Sequence, residues 1–284
     1  MGLPTLEPMS DEDLLPYCRF LTENLSRQCS PEAWAAAFRQ DWGVDKPNNG
    51  FLLRQDGRIV GGIGALYARR VIRGNPERFC NITSWCVLDD YRSHSMRLAI
   101  ALTAQPGFHF TNLTPTEIVS RTLQFLKFKP MNQRQAVWPH LPWPFSHGLR
   151  IITAPEEIER VLSPDDAQAY RDHRHLPWLR HLAVGRPAAY CHVVYKKTRL
   201  KGLPGAFVLA MSDPERFLDY RFALGNHLLL KQGLLFTRVE SRLLPRVPKP
   251  SVELAGFRNK VFRSDTLTEI DISNLYSEIT ALDL

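Results

Sequence analysis

The pattern of apolar and polar residues in the first third of the chain changes from a helical to a strand period. Ser10 with Asp13 three residues later makes a capping box, and Ser30-Pro31 is typical of the start of a second helix. The apolar runs 51–54 and 58–66 follow, separated by the turn sequence Gln-Asp-Gly. The pattern predicts two helices and then an antiparallel hairpin.

The next residues change period three times. Residues 79–88 (FCNITSWCVL) are β-branched and aromatic, as in a buried strand, whereas apolar residues in 96–105 recur at helical spacing. A strand at 108–113 and a helix at 116–127 follow. The helix between the two strands makes the connection long enough for a parallel pair. The order predicts an α/β or α+β layer fold with a mixed sheet flanked by helices.

A proline-rich segment follows the predicted helix at 116–127 and interrupts the series of helices and strands. Its prolines disfavour a regular element, and we interpret it as a connector. We therefore divide the chain into a first half, a connector and a second half, at residues 1–129, 130–150 and 151–284. Four aromatic residues in and beyond the connector either hold it in place, the reading we favour, or line an acceptor pocket; they are Trp138, Trp143, Phe145 and Trp178.

The second half repeats the strand, strand, helix, strand order of the first. Residues 188–197 and 206–212 have strand character, a helix at 214–232 follows with Asp213 as its cap, and 234–240 returns to strand. The repeated order is consistent with a structural duplication. We expect one sheet to be shared by the two halves.

Composition and charge narrow the class of protein. The chain has 284 residues, 44% of them hydrophobic and 23% charged, which is typical of a globular fold. It lacks an apolar run of about 20 residues and a secretion signal, and its five scattered cysteines form no CxxC pair, so we expect a cytoplasmic protein with no membrane association. The net charge of +7 predicts affinity for anions. Because the arginines are spread along the chain, nucleic acid is disfavoured as a partner.

One turn between a strand and a helix carries recognisable chemistry. In VLDDYRSHSMRLAIAL a buried strand ends at Val87, and a helix follows with Arg92 and the small residues Ser93 and Ser95 at its start. The first turn of a helix leaves backbone N–H groups unpaired and carries the positive end of the helix dipole. We therefore expect this helix start to bind a phosphate-bearing ligand.

This segment resembles the signature of the GNAT superfamily of acyl-CoA-dependent N-acyltransferases, in which a strand ending in valine precedes Arg/Gln-x-x-Gly-x-Gly/Ala at a helix start. Arg92 matches the signature arginine, Ser95 stands at the first glycine, and Arg97 stands at the Gly/Ala position. Both glycines are therefore replaced. The resemblance covers about residues 10–128.

Two further positions bear on the resemblance. Within Phe125-Leu126-Lys127-Phe128, which resembles the Leu-Gly-Phe that closes the family's fold, Lys127 stands in place of the glycine. Leu123 stands where the family often has the tyrosine that protonates the CoA thiolate. Another group or water must supply that proton.

The resemblance implies a GNAT-like mixed sheet and an acetyl-CoA or other acyl-CoA held in the first half. The residues it assigns to binding are Trp85, Cys86, Val87, Arg92, Ser93, His94, Ser95, Met96 and Arg97. An acceptor amine would attack the thioester, with the oxyanion polarised by a backbone N–H near 85–87. We favour a small-molecule amine over a protein as acceptor. Asp213 at the second half's helix start would repel a pyrophosphate, so we expect one acyl-CoA per chain.

The general base is not identified by the sequence. Four polar residues lie on or beside the strands that would flank the thioester, and they are the candidates: His109, Glu77, Thr83 and Asn112.

Other chemistry-bearing residues have simpler interpretations. His173, His175 and His181 are close in sequence, but no helical pair at four-residue spacing includes a carboxylate, so we expect no metal site. Cys86, beside Trp85 in an apolar strand, is expected to be a buried thiol and not a nucleophile.

Two alternatives to CoA-dependent acyl transfer stay open. The basic charge would also suit an acidic acyl carrier protein as donor. The missing glycines and tyrosine would suit a catalytically silent acyl-CoA sensor or a nucleic-acid-binding module. The sequence does not indicate the acyl chain length or the oligomeric state.

Overall fold

The protein is represented by a computed structural model that describes residues 3–142 and 148–283. These residues form two compact units. The first contains the chain up to Met131 together with Arg258–Thr268 and the residues from Tyr276 onward, and the second contains Asn132–Phe257 and Glu269–Leu275. None of the helices in the described part of the chain has the length and apolarity needed to cross a bilayer.

The elements follow one another in chain order. Up to Met131 they are β1 (Thr5–Pro8), α1 (Asp11–Asn24), α2 (Pro31–Phe38), β2 (Gly50–Gln55), β3 (Arg58–Ile72), β4 (Asn75–Val87), a 3₁₀ turn (Asp89–His94), α3 (Ser95–Thr103), β5 (His109–Asn112), α4 (Glu117–Phe125) and β6 (Lys129–Pro130). Then come β7 (Gln135–Pro139), β8 (Arg150–Ile152), α5 (Pro155–Val161), α6 (Pro164–His173), β9 (Arg180–Arg186), β10 (Ala189–Leu200), β11 (Leu203–Met211), α7 (Pro214–Asp219), α8 (Arg221–Gln232) and β12 (Phe236–Glu240). The last are a 3₁₀ turn (Ser241–Leu243), β13 (Val252–Leu254), β14 (Val261–Arg263), a 3₁₀ turn (Glu269–Asp271) and α9 (Glu278–Ala281).

Each unit is built around one seven-stranded sheet, and the two sheets have the same topology. The first has the order β1-β2-β3-β4-β5-β14-β6, and the second has the order β8-β9-β10-β11-β12-β7-β13. In each sheet only the fourth and fifth strands are parallel, β4 with β5 and β11 with β12. In both units, helices follow the first and the fourth strand of the sheet. The repeated pattern expected from the sequence is therefore a duplication of topology.

The sixth strand of each sheet does not follow the fifth in chain order. β7, which follows the first unit in sequence, pairs with β12 and β13 in the second sheet. β14, which follows the second unit's strands, pairs with β5 and β6 in the first sheet. The prediction of one sheet shared by the two halves is wrong, because each unit has its own sheet and the chain returns after the strands of the second unit to add β14 to the first sheet.

Local signals located most elements of the first unit. Ser10 caps α1 through the predicted capping box, and Ser30 caps α2 with proline in its first turn. The prediction of a connector without regular structure is wrong in part: β7, which ends at Pro139, forms within it and lies in the interior of the second sheet. The helix predicted at 214–232 is divided into α7 and α8 at Tyr220.

Two glycines of β3 allow helices to pack directly on the first sheet. A Cβ at Gly62 would lie 2.4 Å from the ring of Tyr17 on α1, and one at Gly64 would lie 2.4 Å from the ring of Phe38 on α2. The other face of this sheet carries an apolar core with α3 and α4, in which Leu98, Leu102 and Leu123 are fully buried. The strand β4 therefore runs between two helical layers, with one face against each.

Candidate functional site

The C-terminal end of β4 leaves regular pairing through a bulge. The register between β3 and β4 shifts between Gly62 and Gly64, because β4 carries an extra residue there. Ser84 takes a φ of 51°, in the left-handed region. The buried hydroxyl of Tyr17 donates a hydrogen bond to the carbonyl of Ser84. The helix α1 thus holds the bulge in place.

Beyond the bulge, one edge of β4 is left without a strand partner. The parallel ladder with β5 ends at Asn81, although β4 continues to Val87 and β5 ends at Asn112. The N–H of Leu88 bonds to the carbonyl of Val60 at 3.0 Å, on the β3 side. Since the hydrogen bonds of an antiparallel ladder alternate, the N–H of Val87 points away from β3, toward the edge that β5 leaves open.

A cavity of about 820 Å³ lies at this open edge. Its walls are the end of α1, the end of β4, and the first turns of α3 and α4. The volume is within the range of small-molecule and cofactor sites. Two helix N-termini, each the positive end of a helix dipole, therefore contribute to one cavity.

The structure brings most of the predicted binding residues to this cavity. Those that line it are Trp85, Cys86, Val87, Arg92, Ser95 and Met96. The other three do not contribute to its lining: Ser93 is exposed, His94 occupies the N-cap position of α3, and Arg97 donates to the carbonyl of Pro4 at 3.0 Å. Arg97 therefore binds the residue that precedes β1.

The sequence analysis missed the walls contributed by α1 and α4. Leu25 and Ile118 line the cavity and are 46% and 78% exposed, so its mouth has apolar residues on opposite walls. Thr116 lines it too and caps α4 by accepting a hydrogen bond from the N–H of Val119 at 3.3 Å. The signal that could have found this wall is a second capped helix start, directly after β5.

One ion pair dominates the charge at the cavity. Among the described residues that line the cavity, Arg92 is the only cationic one and Asp89 the only anionic one, and they form a salt bridge of 2.8 Å. Both side chains are mostly exposed. Burial raises the pKa of the nearby Cys86 thiol, although Arg92 opposes the effect, so Cys86 stays protonated at neutral pH.

Two of the four catalytic candidates are hydrogen-bonded to each other at the far end of β4. Nε2 of His109 lies 2.9 Å from Oε2 of Glu77, and the imidazole packs on the ring of Phe79. Glu77 precedes Trp85 by eight residues, which in a strand corresponds to about 26 Å. The pair is thus at the opposite end of the strand from the cavity.

The other two candidates are buried where β4 and β5 separate. The Oγ of Thr83 is 3.3 Å from the Oγ of Ser84, and the Oδ1 of Asn112 accepts the N–H of Thr114 at 3.3 Å. Neither residue lines the cavity. Both are more than nine-tenths buried.

A buried carboxyl, also missed by the sequence analysis, lies beside this point. Glu278 of α9 accepts hydrogen bonds from Asn81 and Thr114, and Asn81 in turn accepts the Thr111 hydroxyl at 3.0 Å. Burial raises the pKa of Glu278, while the two donors and the charge of Lys260 oppose the shift. The network ties α9 to the ends of β4 and β5.

The second unit has a different helix start at the corresponding position. Asp213 caps α7, accepting the N–H of Arg216 at 2.9 Å, so a carboxylate occupies the place that a phosphate would need.

Two of the histidines that were considered as metal ligands have other contacts. Nδ1 of His173 is hydrogen-bonded to the carbonyl of Ala169, and the imidazole of His181 stacks on that of His192. Within the described residues, no group of three or more His, Cys, Asp or Glu side chains could hold a metal ion.

The aromatic residues near the connector divide between two places. Trp138 is buried in β7, against Phe217, in the core of the second unit. Trp178 lies beside the ammonium of Lys196, 5.9 Å from the ring centroid. Trp143 and Phe145 fall outside the described residues.

Comparison with known proteins gives matches only among solved structures. No protein family matches the sequence, and a search of curated proteins finds no match. A GCN5-related N-acetyltransferase from Anabaena variabilis is similar over 92% of this chain and 72% of its own, with a TM-score of 0.59 and 12% identity. One from Kribbella flavida is similar over 92% and 70%, with a TM-score of 0.58 and 12% identity. The chain therefore has the fold of the GNAT acyltransferases.

Proposed function

We propose that the first unit binds acetyl-CoA or another acyl-CoA in the 820 Å³ cavity and transfers the acyl group to an amine, a small molecule in preference to a protein. The observation that carries the proposal is the convergence on one cavity of the β4 end and two helix N-termini, within a GNAT fold. Each of these features serves a different part of the same ligand.

The pyrophosphate of CoA would lie at the start of α3. His94 provides no side-chain cap there, and the N–H of Ser95 bonds to the carbonyl of Arg92 in the preceding 3₁₀ turn, so the positive end of the helix dipole is what attracts an anion. Ser95 is small enough for a phosphate to approach the backbone, and Arg92 adds a positive charge at the rim. The apolar Leu25 and Ile118 would contact the less polar part of the ligand.

The thioester would lie against the open edge of β4. The amine attacks the carbonyl carbon, the carbonyl oxygen becomes an oxyanion, and the N–H of Val87 donates to it. Collapse of the intermediate breaks the C–S bond, and the CoA thiolate leaves. The amine nitrogen gives up one proton as the amide forms, and the leaving thiolate takes up one, both through another group or water. Leu123, at the family's tyrosine position, is an apolar side chain fully buried in the core, so that position supplies no proton.

The test is CoA binding by a matched pair of variants. Ser95→Asp places a carboxylate against the pyrophosphate and is expected to abolish binding of CoA and acetyl-CoA in calorimetry at low salt. Ser93→Asp adds the same charge two residues away, outside the lining, and is expected to bind nearly as well as the parent. Equal affinity of the two variants, in folded protein, would move the site elsewhere.

A silent acyl-CoA sensor is the second candidate. The buried Leu123 favours it, because the chain lacks the acid that the family commonly uses on the leaving thiolate. The discriminating measurement is release of free CoA thiol in the presence of a panel of primary amines. Binding without turnover on any amine would support the sensor, and turnover would support the transferase.

A further inference from the structure

The net positive charge of the protein comes from one segment. The chain has 36 Lys and Arg residues and 29 Asp and Glu residues. Residues 173–212 contain seven of the former and none of the latter, which leaves 29 of each in the rest of the chain. The sequence analysis noted that the arginines are spread along the chain but missed this gap in the acidic residues. The segment contains β9, β10 and β11 of the second unit.

The cations of this segment concentrate at a projecting β-hairpin. β10 pairs with β9 only as far as Tyr195, and β11 pairs with β12 only from Ala206 onward. The residues between them form a two-stranded ribbon, which we call the basic hairpin (residues 196–205). Its turn is Lys201-Gly202, with φ angles of 49° and 82°, as in a type I′ turn.

Three cations of the basic hairpin have no acidic partner. Lys197, Arg199 and Lys201 are exposed, and no salt bridge in the described part of the chain joins any of them to a carboxylate. Lys197 and Arg199 are two residues apart in one strand, so they project from the same face at a spacing of about 6.7 Å. The ribbon therefore presents a row of unneutralised charge.

The equivalent hairpin of the first unit uses its cations differently. It has the same turn at Arg73-Gly74, with φ angles of 52° and 83°. Its Arg70 lies over the ring of Phe79 at 4.8 Å, and its Arg78 lies over the ring of Phe108 at 4.1 Å. These two cations stabilise contacts inside the unit, whereas Lys197, Arg199 and Lys201 of the basic hairpin are exposed to solvent.

The tip of the basic hairpin is apolar. Leu200 and Leu203 pair directly across the turn, and Leu203 is 53% exposed. Leu200 is partly buried. A solvent-exposed leucine beside cations does not help to bind a nucleic acid, whose grooves and phosphates are read by polar groups and whose bases stack on aromatic rings. A convex apolar tip with a basic collar does match a bilayer surface, where the head groups are anionic and the layer below them is apolar.

We propose that the basic hairpin docks the protein on bilayers that contain anionic phospholipids, with Leu200 and Leu203 inserted among the head groups and Lys197, Arg199 and Lys201 on lipid phosphates. The docking is peripheral and needs no membrane-spanning helix. It is independent of the proposed acyl transfer, because all of its residues lie in the second unit. Peripheral docking departs from the expectation of a protein without membrane association, which rests on the lack of an apolar run long enough to span a bilayer.

The test is co-sedimentation of the full chain with vesicles. At 0.1 M salt the protein is expected to bind vesicles of phosphatidylcholine with 30% phosphatidylglycerol and to bind pure phosphatidylcholine weakly. One basic residue contributes about fivefold to partitioning onto an anionic surface, so Lys197→Glu/Arg199→Glu should lower binding by at least about 25-fold. Leu203→Ser should lower it by about tenfold. High salt should weaken the parent but leave the leucine contribution measurable.

A matched control carries the same change in net charge elsewhere. Arg19 and Arg58 are exposed residues of the first unit, and Arg19→Glu/Arg58→Glu is expected to bind the anionic vesicles like the parent. Circular dichroism melting confirms that each variant is folded. Equal loss in both double variants, or no preference of the parent for anionic vesicles, overturns the proposal.

A second binding measurement separates lipid from other polyanions. Under the proposal, binding of a 20-base-pair DNA duplex is weak at 0.15 M salt, and Leu203→Ser affects only the vesicles. If the duplex or poly-glutamate binds more tightly than the vesicles, and Lys197→Glu/Arg199→Glu abolishes this binding while Leu203→Ser does not, the hairpin binds nucleic acid or an acidic protein and the lipid proposal is wrong.

Discussion

At the scale of single residues, Asp89 offsets the positive charge that Arg92 brings to the cavity. Its carboxylate is 2.8 Å from the Arg92 guanidinium and lines the same wall, so it competes with a bound phosphate and repels it. We predict that Asp89→Asn raises the affinity for CoA, by about twofold to fivefold because both side chains are largely exposed and screened. Calorimetry at low salt measures the change, and 0.5 M salt should reduce it.

The neighbouring carboxylate supplies the control for this prediction. Asp90 is also exposed but does not line the cavity, so Asp90→Asn removes the same charge from a less direct position. It should improve CoA affinity by a smaller factor. A larger gain for Asp90→Asn than for Asp89→Asn would show that the phosphate lies elsewhere.

At the scale of elements, the partly buried His181 and the buried His192 make β9 and β10 sensitive to acid. Nδ1 of His181 lies 3.2 Å from Nε2 of His192, and the ring of Tyr170 packs edge-on against both imidazoles. Burial lowers the pKa of His181 to about 4. Burial, with the nearby His181 and His173, lowers the pKa of His192 to about 3. Both rings are therefore neutral in the folded protein.

The sign of the pH dependence of stability follows from the lowered pKa values of His181 and His192. An unfolded histidine binds its proton near pH 6.5, so below that pH the unfolded state takes up protons that the folded state excludes. We predict full stability of the second unit above about pH 6.5 and a loss on the order of a few kcal/mol as the pH falls toward 4. Urea unfolding at a series of pH values measures this. His181→Phe/His192→Phe should flatten the slope, and an unchanged slope would contradict the assignment.

At the scale of the whole molecule, β14 completes the first sheet from far along the chain. We therefore predict that the first unit does not fold as an N-terminal fragment. A chain ending at Phe128 lacks β14, which pairs with β5, and α9, whose Glu278 is bonded to Asn81 and Thr114. An unpaired strand edge and exposed apolar residues favour aggregation. We predict insoluble or non-cooperatively melting protein, assayed by soluble expression and thermal melting.

The control for truncation restores the missing elements. Residues 1–131 joined by a flexible linker to 258–284 contain every strand of the first sheet. This chain should melt more cooperatively than the fragment ending at Phe128. If that fragment itself melted cooperatively and bound CoA with the affinity of the full chain, β14 would not be required for folding.

Sequence alone located the features that depend on a few neighbouring residues. The caps at Ser10 and Ser30, the strand that ends at Val87 and the helix after it are determined within single turns. The resemblance also extends to backbone conformation: Lys127, at the family's glycine position, has a φ of 66°, which glycine adopts without strain. Six of the nine predicted binding residues line one cavity, because all six belong to one strand end and the helix start that follows it.

Only the tertiary structure decided which distant segments meet. The α4 wall of the cavity, the placement of Arg97 on Pro4 and the bond between Asn81 and Glu278, 197 residues apart, join parts of the chain that share no local pattern. Short strands such as β7 and β14 have too few residues for a periodic signal, and pairing partners alone determine where they lie. Helix caps and strand ends depend on hydrogen bonds and backbone preferences of neighbouring residues. Sheet order and cavities depend on packing between residues that are far apart in sequence.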